Sequence, residues 1–315
     1  MATSGSAIYD DPDDFQASLP GSFDLVLERP RAFRARLTSV SLPDLKVVRA
    51  REESARAAHV TLPPQRVLVS FVTERTSQLL VDGVTLPPGE LFFHGREESF
   101  HQRTLAGARW GLVCLTPAAL AEFGAAITGR PLEPPRLGHL VCPRRGDGLS
   151  LRRLHARAVR IAERTLGHIA HPEVARGLDQ DLLLALVSCL ADGEPRRGSS
   201  ARDRNRRVLA RFEAVLAANA HRLLETAEMG GLVGEPEECL NEACAQSLGM
   251  GPERYQLLRR LKLVRREFSQ VASARVSVAD VARRFGFSDL ARLTVDYLHQ
   301  YEELPPFDRE TNAKR

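Results

Sequence analysis

The side chains best suited to chemistry are few and scattered. His94 and His101 flank Glu97 and Glu98. Two imidazoles and one carboxylate are the donor set of a facial metal triad. No tight His-x-His pair accompanies them, and His59, His139, His155, His168 and His171 show no ligand spacing, so structural or surface roles are favoured. The five cysteines are Cys114, Cys142, Cys189, Cys239 and Cys244. Their odd number and the lack of a C-x-x-C pair argue against a disulfide framework or a zinc finger. No G-x-S-x-G, Walker loop or G-x-G-x-x-G occurs. The expectation is a chain that is not an enzyme, with no catalytic residue, no bound metal and no cofactor. Trp110, Phe92, Phe93 and Phe100 either line a ligand cavity or pack a core.

The other chemistry open to this chain is cationic. Arg254 to Arg266 includes Arg259, Arg260, Lys262, Arg265 and Arg266. At 100° per residue, Arg259, Lys262 and Arg266 share a helix face that either follows a phosphate backbone or faces solvent. Arg204, Arg207 and Arg211 align in the same way. Lys46, Lys262 and Lys314 are the three lysines; all other formal cations are arginines, whose planar fork suits phosphate. Net charge alone does not identify a nucleic-acid partner: the 315 residues carry +4, with a pI near 9.0. Residues 201–315 hold 19 basic and 17 acidic residues, so any basic surface must come from local arrangement.

Elements that would position these groups follow from periodicity. Residues 1–117 are expected to be β-rich, with short apolar runs at Arg66–Val72, Gln78–Val81, Glu90–Phe93 and Arg109–Leu115. Asp82-Gly83 marks a hairpin and Pro87-Pro88-Gly89 a turn. Residues 118–191 are expected to be helical and to pack on the β unit or on a partner chain. Thr116-Pro117 caps the first of these helices and Gly129 stops it; Ser150 opens a second and Pro172 a third. Residues 192–204, with Gly193, Pro195, Gly198, Ser199 and Ser200, suggest a linker. Residues 205–306 suggest an all-helical domain and 307–315 a tail. No apolar run approaches the roughly 20 residues of a membrane-spanning helix. The acidic, polar start, Met1 to Asp14, lacks the pattern of a secretory signal. A cytoplasmic protein is the expectation.

Ser277–Tyr301 carries the strongest motif. Ser277 and Asp280 form an S-x-x-D cap. Val278, Val281, Ala282 and Phe285 make one apolar face, and Gly286 suits a tight turn with positive φ. Phe287 plugs the turn and Ser288 caps a second helix that buries Leu290, Leu293, Tyr297 and Tyr301. Ser288, Asp289, Arg292, Val295, Asp296 and His299 remain on its outer side. Such a pair of helices is a helix-turn-helix.

Val281-Ala282-Arg283-Arg284-Phe285-Gly286-Phe287-Ser288-Asp289-Leu290, with Arg292, Tyr297 and Pro305, resembles the second helix-turn-helix of AraC/XylS-type transcription regulators. Leu248-Gly249-Met250-Gly251-Pro252, Tyr255, Arg260-Leu261 and Arg265-Arg266 resemble the helix linking that family's two units. Leu293-Thr294-Val295-Asp296-Tyr297 has a weaker similarity to the ethanolamine-operon regulator branch. The resemblance spans residues 205–306. It implies an α+β chain with an N-terminal β-rich, cupin-like sensor unit and following helices, then an all-α C-terminal domain with two helix-turn-helix units. It also implies promoter DNA as partner, a small-molecule effector, a homodimer and RNA polymerase contact, with no membrane association. The DNA-binding residues would be Ser288, Asp289, Arg292, Val295, Asp296 and His299, with Arg259, Arg260, Arg265 and Arg266 of the linking helix. The metal-binding cupin pattern, a His-x-His pair with a Glu and a distant His, is absent.

The chain departs from the family at the first recognition helix. Where a Ser-x-Arg-Thr-Leu-like run belongs, it has Pro236-Glu237-Glu238-Cys239-Leu240-Asn241-Glu242. Acids facing DNA are unfavourable unless they accept from a cytosine amino group. Glu237, Glu238 and Asn241 therefore leave two readings open. One is a regulator that binds DNA through its second unit; the other is a family descendant with impaired DNA binding that acts through protein contacts.

Overall fold

The computed structural model describes residues 3–28, 33–96, 98–164, 171–196, 200–270 and 277–305. Glu97, His168, Gly198, Ser199 and the tail at 307–315 lie outside the described residues. The chain divides into two units, Met1–Leu25 with Phe33–Asp203, and Val26–Ala32 with Arg204–Arg315. The fold class is the expected one: a β-rich N-terminal part of two sheets with helices, then a wholly helical part.

The strands are β1 (Thr3–Tyr9), β2 (Ser22–Leu27), β3 (Ala35–Ser41), β4 (Leu45–Glu52), β5 (Arg56–Thr61), β6 (Val67–Val72), β7 (Leu79–Val81), β8 (Val84–Thr85), β9 (Leu91–Phe93), β10 (Ser99–Thr104), β11 (Arg109–Leu115), β12 (His139–Cys142) and β13 (Glu194–Arg196). They form an eight-stranded sheet, β1-β3-β4-β11-β6-β9-β12-β13, and a five-stranded sheet, β2-β5-β10-β7-β8. The Asp82-Gly83 hairpin forms as expected, joining β7 to β8 with both residues at positive φ, +48° and +78°. Helix α1 (Pro12–Ala17) was not legible in the sequence; it is short and held by the Asp11 cap and by Phe15, which is fully buried.

Helix α2 (Pro117–Thr128) has the expected Thr116 cap and left-handed Gly129 stop. Helix α3 (Arg145–Arg164) begins five residues before Ser150. Gly146 and Gly148 lower helix propensity and mask that first turn; Gly148 packs closely on Pro143, where a Cβ would lie 3.3 Å from its ring. Helix α4 (Pro172–Asp192) starts at Pro172 as expected. Leu151, Ala158, Leu178, Leu182 and Leu186 of α3 and α4 close over Val40, Val47 and Val113 of the large sheet. Each fully buried leucine contributes about 1.5–3 kcal/mol relative to exposure.

The segment 192–204 is not wholly irregular. Glu194–Arg196 pairs with β12 as the edge strand β13, a position that tolerates Pro195. Helix α5 (Ser200–Ala218) has already begun by residue 200.

Candidate nucleic-acid interface

The second unit continues with α6 (Thr226–Val233), α7 (Glu237–Leu248), α8 (Pro252–Gln270), α9 (Val278–Arg284) and α10 (Leu290–Tyr301). Ser277 caps α9, its hydroxyl accepting from the Ala279 amide. Asp280 pairs with Arg283 rather than reaching back to the cap. The chain then turns through Gly286 at φ +84°, and Phe287 is buried with its amide donating to the Ala282 carbonyl. A Cβ on Gly286 would sit 2.7 Å from the Arg222 backbone, so the turn packs directly on the chain after α5.

The N-cap of α10 is Asp289, not Ser288. Its Oδ1 accepts from the Ala291 and Arg292 amides at 2.8 and 3.3 Å. The carboxylate also suits the positive helix end, which explains why it displaces the expected serine. Leu293 and Tyr297 pack with Val281, Ala282 and Phe287 against Leu261 and Val264 of α8. Leu290, expected inside, is 39% exposed; the inward turn of the helix is made by Gln300 instead, whose Oε1 accepts from Arg254 at 3.0 Å.

The outer face of α10 carries the residues expected there. Ser288, Asp289, Arg292, Val295 and His299 are exposed and Asp296 is half-buried. The Arg292 guanidinium is 77% exposed and stands 3.9 Å from Asp296. This face offers an arginine donor, an apolar valine surface and an imidazole, which together can read a guanine edge, a thymine methyl and a backbone oxygen.

The cationic helix α8 is arranged differently from a phosphate-facing stripe. Arg260 is buried, donates to the carbonyls of Asn219 and Arg222, and has its pKa pushed down to about 10 by burial and by Arg259. Arg259 pairs with Glu213, which also accepts from the Tyr255 hydroxyl at 2.8 Å. Arg265 pairs with Glu303 at 3.3 Å and stacks over Tyr301. Lys262 is buried, and Arg266 is exposed. Three of the four α8 arginines expected to contact DNA therefore have partners inside the unit. Their periodicity was legible; that Glu213, Asn219 and Glu303 would meet them was not.

In the first helix pair, Leu240, Ala243, Cys244 and Leu248 of α7 are buried, and Glu237, Glu238, Asn241 and Glu242 are exposed. Glu237 and Glu238 occupy the first turn, where the helix dipole favours them. Gly230 has a packing reason: a Cβ there would meet the Glu235 carbonyl at 3.0 Å, whereas Gly231 faces open space. Glu235 itself pairs with Arg211. A groove of about 1160 Å³ runs from Glu237 past Arg222 and Arg254 to Arg283, Ser288 and Arg292. Nothing in the sequence groups Arg222, Arg254 and Arg283; only the tertiary fold gathers them here.

In the β-rich unit, His94 is buried with its Nε2 2.8 Å from the Ser70 hydroxyl, its ring against Phe92 and Phe100. His101 stacks on His59, and Glu98 accepts from the Gly95 and Gly138 amides. Among the described residues no group of three His, Cys, Asp or Glu side chains is placed to hold a metal. Among the described residues no helix is long and apolar enough to cross a membrane.

No family model matches the chain. The chain is similar to the crystal structure of the AraC-like transcriptional activator CuxR, at 17% identity and a TM-score of 0.41, over 86% of this chain and 96% of that one. It is also similar to ToxT from Vibrio cholerae O395, at 6% identity and a TM-score of 0.28, over 96% of this chain and 95% of that one. Its structural neighbours include proteins described as an AraC-like transcriptional activator and as a probable AraC family transcriptional regulator, the latter from Rhodopseudomonas palustris CGA009.

Proposed function

We propose that the chain is a DNA-binding transcription regulator of the AraC/XylS type, with α10 as its reading helix. The observation that carries this is the division of α10 itself. Leu293 and Tyr297 fix one face against α8, and Ser288, Arg292, Val295 and His299 stand on the other, unobstructed. A rigid helix with an exposed arginine and small side chains is what a major groove admits. In this reading the β-rich unit responds to a small molecule by shifting the population of DNA-competent conformers. Helices α2 to α4 serve dimerisation, RNA polymerase is a further contact, and the protein works in the cytoplasm.

The test is footprinting and anisotropy titration on the DNA upstream of its own gene across a salt series. Arg292→Ala is expected to weaken specific binding by about tenfold, the equivalent of about 1.4 kcal/mol, and to relax specificity at one position. Arg266→Ala is expected to weaken all sequences alike and lower the salt slope by about one. Unchanged affinity and specificity in Arg292→Ala would remove its base-reading role.

A second reading rests on the exposed acidic face of α7, with Glu237, Glu238 and Glu242 around Asn241. That face repels a phosphate backbone and suits a basic protein surface. No enriched genomic site, together with a stable protein partner lost in Glu238→Lys, would favour it.

A further inference from the structure

A second cationic site lies in the β-rich unit, far in sequence from the helix-turn-helix pairs. The strand register sets Ile8 opposite Arg36, Arg36 opposite Arg51, and Arg51 opposite Arg109, across β1, β3, β4 and β11. Residues paired across antiparallel strands point to the same face, with Cβ atoms about 4.5–5.5 Å apart. The Cβ atoms of Arg36, Arg51 and Arg109 thus stand in one row about 10 Å long. Arg49, two residues back on β4, shares their face between Thr38 and Gly111. Arg34 adds a fifth cation at the rim.

Like charges directly opposite one another destabilise a sheet, and the local acids only partly offset these. Glu74 lies 2.9 Å from Arg109 and 3.8 Å from Arg49, and Glu53 lies 3.9 Å from Arg34. The nearby Glu52 carboxylate is engaged on the opposite face by Arg56 and Trp110. The Nε groups of Arg49 and Arg51 are buried with no hydrogen-bond partner. A buried donor left unmade costs about 1–3 kcal/mol, more when charged. Burial, then the Arg51 charge, holds the Arg49 pKa below its usual value, with Glu163 and Glu74 pulling the other way. Arg34, Arg36, Arg51 and Arg109, with Ile8, Glu52 and Glu53, line a pocket of about 360 Å³, and Arg49 lies outside its walls.

We propose that this arginine shelf binds a phosphorylated small molecule, with Arg36, Arg51 and Arg109 holding its phosphoryl oxygens. Guanidinium forks match phosphoryl oxygens two at a time. A row of this length presents more than one fork, so a diphosphate can engage neighbouring arginines together. Ile8, 46% exposed at the end of the row, supplies an apolar wall for the organic part. The pocket is at the small end of ligand sites, which favours a compact anion over a duplex. Its role as an effector site rests on the regulator reading above; the binding itself does not.

The test uses the full-length protein and pyrophosphate, by calorimetry and thermal shift, with ionic strength held constant by sodium chloride. Saturable binding with a rise in Tm is expected. Arg109→Gln and Arg51→Gln are each expected to weaken it at least tenfold. Circular dichroism checks that both variants fold. Arg292→Ala is expected to bind pyrophosphate as the parent does, so failure of the DNA reading and failure of this site are separable. Absence of saturation, a Tm rise matched by chloride alone, or undiminished binding in the folded variants would overturn the proposal. So would a short DNA duplex that displaces pyrophosphate and is itself weakened as much by Arg51→Gln and Arg109→Gln, since the shelf would then be a nucleic-acid surface.

Discussion

Asp82 Oδ2 lies 3.8 Å from a guanidinium nitrogen of Arg202, and both side chains are almost wholly buried. Asp82 occupies the left-handed turn after β7, where its other oxygen accepts from the His101 amide at 2.9 Å. Arg202 comes from the first turn of α5 and stacks over Phe92 at 4.8 Å. The start of α5 is thereby fastened to the strands of its own unit. A buried pair of this kind is costly to break, because the remaining charge keeps its desolvation penalty. Arg202→Met is expected to lower stability by about 3–5 kcal/mol. Adding Asp82→Asn to it should return part of that loss. Urea unfolding at pH 7 measures both; a double variant no more stable than the single one would show that the pair is not coupled.

His94 and His155 give a pH dependence of definite sign. Burial, then the Arg202 charge, pushes His94 down to about 3. Burial outweighs the hydrogen bond to the Val48 carbonyl and pushes His155 down to about 4. Both rings are neutral in the fold, while an unfolded histidine takes a proton below about 6.5. Their stability contribution is therefore complete above pH 6.5 and is lost as pH falls toward 4. Each histidine contributes a slope of about 1.4 kcal/mol per pH unit in that window. His94→Gln should flatten the stability profile of the parent by about one such slope between pH 6 and 4.5. A parallel profile would contradict the assignment.

Asp179 works in the opposite direction. Burial, then the neighbouring Asp44 charge, pushes its carboxyl up to about 7, although Oδ2 accepts from the Asp44 amide at 3.2 Å. The folded state holds this proton more tightly than the unfolded chain, so stability falls as pH rises from about 4 through 7. Asp179→Asn keeps an acceptor without the charge. Its Tm relative to the parent's should rise steadily from pH 4 to pH 8; a difference that stays constant across that range would refute the shift.

The cap of α10 separates two adjacent residues. Asp289→Ala removes the acceptor for two amides and should cost about 1 kcal/mol. Ser288→Ala should change stability by a few tenths at most, the usual range for an exposed site. Chemical denaturation of both variants checks the order, and a reversed order would return the cap to Ser288.

Gly286→Ala combines a strained φ with a Cβ 2.7 Å from the Arg222 backbone. A cost of about 2–3 kcal/mol is expected, since neither the turn nor that backbone can yield as a flexible side chain would. Hydrogen exchange should show faster opening of α9 and α10. Unchanged protection would mean that the turn relaxes freely.

The sequence by itself determined the elements whose signals are local. Thr116-Pro117, Gly129, Asp82-Gly83 and Ser277 act through neighbours a few residues away, so residue type and spacing alone define their caps and turns. The outward face of α10 was legible too, because helical periodicity separates Arg292 and Val295 from Leu293 and Tyr297 without knowledge of what packs behind them. Local signals also misled: Ser288 and Asp289 are both good caps, and only the backbone path into α10 selects Asp289.

Tertiary structure alone decided what each charge does. Arg260 and Arg266 belong to the same cationic run, yet one donates to carbonyls of the chain just after α5 and the other stays exposed. Arg36, Arg51 and Arg109 are far apart along the chain, and strand register sets them side by side. Asp82 and Arg202 meet only because the turn after β7 and the first turn of α5 converge. Helix caps depend on spacing along the chain, whereas the partner of a long charged side chain depends on which distant segments burial brings within a few ångströms.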